Sequence, residues 1–156
     1  MRGTMEQLKF SLPDFTNGDI FPIDYTGRGK DISPEIVIEN LSENAKTLAV
    51  TLEDISHPIK NFTHWVIWNI TATSKIEKAI PKGKSVSGVD AVQGVAYGMH
   101  RYAGPKPPRG KTHIYRITVY SLDCSLELSA SKRKKHLLKK AENHILQKGS
   151  LEYSFE

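Results

Sequence analysis

A chain of 156 residues with 38% hydrophobic and 25% charged side chains is long enough to bury one sizeable core and too apolar to stay disordered. Its longest strongly apolar stretch, Trp65 to Ile70, is far too short to span a bilayer, and Met1 to Met5 carries one cation with no apolar run behind it, which argues against a secretory signal. The net charge of +5 makes acidic partners conceivable, but no basic and aromatic interleaving points to nucleic acid, and the single cysteine, Cys124, excludes an intrachain disulfide. These features predict one domain over residues 5–156, with Met5 as a natural start, in the cytoplasm.

Along the chain the dominant period is two. Leu8 to Leu12 and Glu35 to Asn40 read as short strands. In Thr47 to Glu53, Leu48, Val50 and Leu52 alternate with Thr47, Ala49, Thr51 and Glu53, the pattern of a half-buried strand. His64 to Thr71 follows as a further strand. Between Ile80 and Lys111 no period is sustained, and glycines and prolines recur, as they do in long binding loops. His113 to Leu122 resumes the alternation, with His113, Tyr115, Ile117 and Val119 on one face. A helix is expected over Ser131 to Lys148, with Ser129 or Ser131 as its N-cap, Leu138, Ala141 and Ile145 inward, and the lysines on the wet face. Gly149 stands where such a helix would stop, and Leu151 to Phe155 reads as a last strand. The whole predicts a mainly β, mostly antiparallel protein.

Three segments concentrate groups able to handle an anion or a proton. Glu53-Asp54-Ile-Ser-His-Pro58 closes the alternating strand, His64-Trp65 opens another, and Gly104-Pro-Lys-Pro-Pro-Arg-Gly110 runs into His113-Ile-Tyr115. Alternation puts His113 and Tyr115 on one side of their strand, and Asp54 continues the inward series of Leu48, Val50 and Leu52. Imidazoles and a phenol can donate to phosphate oxygens, whereas a carboxylate can hold a histidine's other N–H and fix its tautomer. Two other chemistries use the same residues. Ser56 with His64 or His113 and Asp54 offers a nucleophile, a base and an orienting acid, but no G-x-S-x-G turn surrounds Ser56. His57, His64, His113 and Asp54 are zinc-type donors, but their spacing matches no compact zinc motif, so neither a metal nor a cofactor is expected. Cys124 has no sequence neighbour that would activate it.

In this order the three segments resemble the signatures of the phosphatidylethanolamine-binding protein family, whose bacterial and archaeal branch is described as Raf-kinase-inhibitor-like. The family's D-P-D-A-P followed by H-W reads here as Asp54-Ile-Ser-His-Pro58, then His64-Trp65. Its G-P-x-P-P-x-G followed by H-R-Y reads as Gly104-Pro-Lys-Pro-Pro-Arg-Gly110, then His113-Ile-Tyr115. Phe15, Gly18, Pro22, Tyr25 and Asp31-Ile-Ser-Pro34 also lie where the family puts them. The resemblance implies an antiparallel two-sheet fold, with a large central sheet, a smaller sheet and peripheral helices including a C-terminal one. It implies no enzyme but a pocket for small anions or phosphorylated head groups, walled by Asp54, Pro58, His64, Pro108, His113 and Tyr115. Regulation through protein partners, inhibition of a kinase or protease by surface contact, and homodimers are further implications. Ile55, Ser56, His57 and Ile114 depart from the signatures and change the surroundings of that pocket.

Overall fold

A computed structural model describes residues 5–156. Ten strands and one α-helix follow in order: β1 (Glu6–Gln7), β2 (Phe10–Ser11), β3 (Ile36–Ile38), β4 (Thr47–Asp54), β5 (Phe62–Thr71), β6 (Lys75–Ile76), β7 (Ser85–Val86), β8 (Ala91–Gln93), β9 (His113–Leu122), α1 (Lys134–Ala141) and β10 (Ile145–Phe155). A seven-stranded sheet runs β1-β10-β9-β4-β5-β8-β7, and a three-stranded sheet runs β2-β3-β6. Every strand-to-strand pairing of the large sheet is antiparallel but one: β1 lies parallel to β10, so the large sheet is mixed rather than antiparallel throughout.

The large sheet is covered on both faces. Leu48, Val50, Leu52, Tyr115, Ile117 and Val119 meet Phe10, Ile36, Ile38 and Ile76 of the small sheet. Ala49, Val66, Trp68, Tyr120 and Leu122 meet Leu126 and the α1 residues Leu137 and Ala141. All eight residues of β4 are therefore buried, and the expectation of a half-wet strand is corrected. The polar residues Thr51 and Glu53 on its second face are also buried, and Glu53 meets Lys134 of α1.

The expected helix is much shorter than the sequence pattern suggests. It covers Lys134–Ala141 and begins after Arg133, whose backbone N–H donates to the His136 side chain at Nδ1, 3.1 Å away. Asn143, with φ at 72°, turns the chain out of the helix, and Ile145 begins β10. Gly149 is no helix stop. It sits inside β10, where a Cβ would come within 2.0 Å of the Leu8 carbonyl oxygen, so the missing side chain lets the chain after β1 press against β10. Nor do all the basic residues decorate a wet face. Lys134 turns in to Glu53 at 2.5 Å, with only 13% of its side chain exposed. Among the described residues α1 is the only α-helix, and no helix is long and apolar enough to cross a membrane.

Candidate functional site

Asp54 ends β4 directly opposite Tyr115 of β9, and His113 lies two residues before Tyr115 on the same face. Strand alternation alone thus brings three of the expected groups together. The Asp54 carboxylate is 3% exposed: Oδ2 accepts from His113 Nδ1 at 2.7 Å, and Oδ1 accepts from the Ser56 backbone N–H at 2.9 Å. His113 is thereby fixed with its Nδ1 proton on Asp54, leaving Nε2 for other partners. The Tyr115 phenol is pushed well above its ordinary range, first by burial and then by the Asp54 charge, and it also shares a hydrogen bond with Asp54. Tyr115 therefore keeps its proton throughout the physiological range.

His64 arrives by a different route. Leu52 pairs with Trp65 and Glu53 pairs with Thr63, so His64 is the extra residue of a β-bulge. Strict alternation would send it to the α1 side with Val66 and Trp68. The bulge instead aims its ring at Tyr115, edge to face at 5.4 Å between centroids. The His64 Nδ1–H donates to the Ala103 carbonyl at 2.8 Å. Burial lowers the pKa of His64, and the bond to Ala103 offsets this only in part. The neutral ring thus presents an Nε2 lone pair. Phe62 and Tyr97 complete its surroundings, at 5.5 Å and 5.0 Å from the imidazole.

The residues that depart from the family signatures have identifiable tasks. Ser56 Oγ accepts the Ile114 N–H at 2.9 Å, and the Ile55 N–H donates to the Ile114 carbonyl at 2.9 Å. One side-chain-to-backbone bond and one backbone bond thus stitch the turn after β4 to the start of β9 at the two signature positions that lack Asp and Arg. His57 stacks on Phe62 at 4.0 Å, and its Nδ1 accepts the Ile59 N–H.

The loop over residues 104–110 is held from a distance. The Gly104 N–H donates to Asp31 Oδ1 at 2.7 Å, Arg101 braces the other Asp31 oxygen at 3.1 Å, and the Gly27 N–H donates to the Pro105 carbonyl. Arg28 donates to the Pro107 carbonyl and, at 2.8 Å, to that of Glu156.

Asp54, His64, His113 and Tyr115 therefore form one cluster. Pro58 stands exposed on the turn after β4. Pro108 is also exposed and lines a groove of about 500 Å³ with Arg28, Lys106 and Arg109. Phe62, Tyr97, Arg28 and the Ala103 carbonyl join the site groups only in the folded chain. Tyr97 lies in the aperiodic stretch, and only the fold brings it to His64.

The phosphatidylethanolamine-binding protein profile matches residues 11–156. A UPF0098 protein of Pyrococcus abyssi is 40% identical over 152 residues, covering 96% of this chain and 85% of that protein. The UPF0098 protein YbhB of Escherichia coli is 31% identical over 127 residues, covering 74% of this chain and 78% of YbhB. Among solved structures, the phosphatidylethanolamine-binding protein homologue CT736 of Chlamydia trachomatis superposes with a TM-score of 0.82 at 25% identity, covering 97% of this chain and 98% of that one. Escherichia coli YbcL, described as a member of the mammalian family, shares the fold with a TM-score of 0.83 at 19% identity, covering 96% and 98%. The mixed sheet with its small partner sheet, the two signature segments meeting at one end of β4 and β9, and a profile match reaching from β2 through β10 agree: the chain belongs to the phosphatidylethanolamine-binding protein family.

Proposed function

We propose that the Asp54, His64, His113 and Tyr115 cluster binds a small oxyanion, phosphate or a phosphorylated small molecule, and that occupancy biases association with a protein partner. The observation that carries this reading is the pair of imidazoles whose Nδ1 protons are committed to Asp54 and to the Ala103 carbonyl, leaving both Nε2 atoms for a ligand. In their neutral forms these nitrogens accept, so an oxyanion is held either by its own P–OH group or after the rings take up protons. The Tyr115 proton can turn from Asp54 to a ligand oxygen. Pro58 and Pro108 belong in this reading to the rim, and Arg28 and Lys106 supply positive charge beside it.

Chemical-shift mapping with phosphate and phosphoethanolamine at millimolar concentration tests the proposal. Shifts should centre on His64, His113 and Tyr115, and the double change His64→Gln with Tyr115→Phe should abolish binding. Unchanged affinity in that variant would place the ligand elsewhere. Pull-down with and without the double change tests the partner. A serine hydrolase would need the Ser56 hydroxyl to donate to an imidazole, whereas the partner its oxygen has in the structure is a donor, the Ile114 N–H. Ser56 should accordingly resist labelling by a fluorophosphonate probe.

A further inference from the structure

β9 runs its ten residues away from the Asp54 cluster, so its far end lies about 30 Å from that site. There Asp123 and Cys124 follow β9, and His144 precedes β10. Their ligating atoms, a carboxylate oxygen, a thiol sulfur and an imidazole nitrogen, all lie within 4.8 Å of one another. We propose that Asp123, Cys124 and His144 form a binding site for a thiophilic divalent transition metal, of which zinc is the leading example.

The donor set selects the class of ion. A thiolate and an imidazole favour zinc or cobalt over magnesium or calcium, and one carboxylate completes a neutralising three-ligand set. Metal–ligand bonds of about 2.0–2.3 Å place tetrahedral donors roughly 3.3–3.8 Å apart, so small side-chain rotations suffice. Asp123 Oδ1 and His144 Nδ1 already stand at 2.9 Å.

The backbone beneath is fixed from three sides. The Asp123 N–H donates to the His144 carbonyl at 3.0 Å, the Thr47 hydroxyl donates to the Cys124 carbonyl at 2.7 Å, and the His144 N–H donates to the Ala141 carbonyl at 2.8 Å. Ile145 pairs with Leu122 immediately behind the cluster. The side chains of Asp123 and His144 are 44% and 46% exposed, which leaves an ion free to enter and the fourth position open to water. No sequence motif announces the site, because its halves meet only through the pairing of β9 with β10.

An ion takes the Cys124 sulfur as a thiolate and the lone pair of His144 Nδ1, so the thiol proton leaves to solvent and the Nδ1 proton that Asp123 Oδ1 accepts is displaced.

The test uses the tag-free full chain stripped with a chelator, titrated with cobalt(II) and then with zinc. Wild-type protein should bind one ion and show a sulfur-to-cobalt charge-transfer band in the near ultraviolet. The band should vanish in Cys124→Ser. Affinity should fall at least about tenfold in His144→Gln, and His113→Gln should bind as wild type. Thermal unfolding of each variant shows that it is folded, and His144→Gln carries the test if Cys124→Ser is not. No band in the wild type, a band retained in Cys124→Ser, or binding lost in His113→Gln would overturn the assignment.

Discussion

If the proposed pocket takes an oxyanion through His64 and His113, its affinity must depend on protons, and sulfate isolates that dependence because it does not titrate near neutrality. Both Nδ1 protons are committed, to the Ala103 carbonyl at 2.8 Å and to Asp54 at 2.7 Å, so each ring can donate to sulfate only after gaining a second proton. His64, whose pKa burial has lowered, is neutral in the free protein at neutral pH. Each proton taken up on binding makes the association constant rise about tenfold, roughly 1.4 kcal/mol, per unit fall in pH. The slope continues until the pH meets the lowered His64 value. Wild-type protein should therefore bind sulfate with a slope of about one proton contributed by His64 as pH falls below neutrality, followed by calorimetry. His64→Gln cannot titrate and should lose about one proton from that slope. A flat profile in the wild type, or the same slope in His64→Gln, would refute the reasoning.

The same burial predicts an acid-side loss of stability. The folded chain resists protonating His64 while the unfolded chain does not, so this contribution is complete above about pH 6.5 and is lost as pH falls toward the lowered folded value. Denaturant melts at a series of pH values should show that loss in the wild type and less of it in His64→Gln. Gly149→Ala would drive a Cβ into the Leu8 carbonyl, costing the Leu8 bond to Lys148 and the burial of Leu8, about 2–4 kcal/mol by urea unfolding. A loss below about 1 kcal/mol would mean that the strand shifts without cost. Lys134→Met strands the Glu53 carboxylate, which is 8% exposed and keeps only Arg116, at 3.8 Å; the cost should be about 3 kcal/mol, largely recovered in the double variant with Glu53→Leu.

Which of these groups the chain reveals before it is folded depends on how local their cause is. Asp54, His113 and Tyr115 were legible because two regular strands carry them, and period-two alternation assigns each to a face. His64 was nameable only through its signature, since its orientation comes from a bulge that alternation cannot anticipate. The helix was overextended because Ala141 and Ile145 keep helical spacing across the Asn143 turn, where the apolar side chains change from packing α1 to pairing in β10. β7 and β8, of two and three residues, are too short to show a period within a Gly- and Pro-rich stretch. Arg28, which holds the Pro107 carbonyl, sits 79 residues from it in sequence, and nothing in its local context marks it.

The parallel pairing of β1 with β10 bears on how the chain is made. Glu6 and Gln7 find their partners only in Gln147 and Lys148, and β9 has β10 as its neighbour on that side. During synthesis on a ribosome, β9 emerges with one edge unpaired, and β1 waits unattached until β10 has been translated. The open edge of β9 is long and largely apolar, the kind of surface that recruits other strands. The nascent protein thus passes through a stage that favours chaperone capture or intermolecular pairing, and the addition of β10 ends it by shielding β9 and seating β1 in one step.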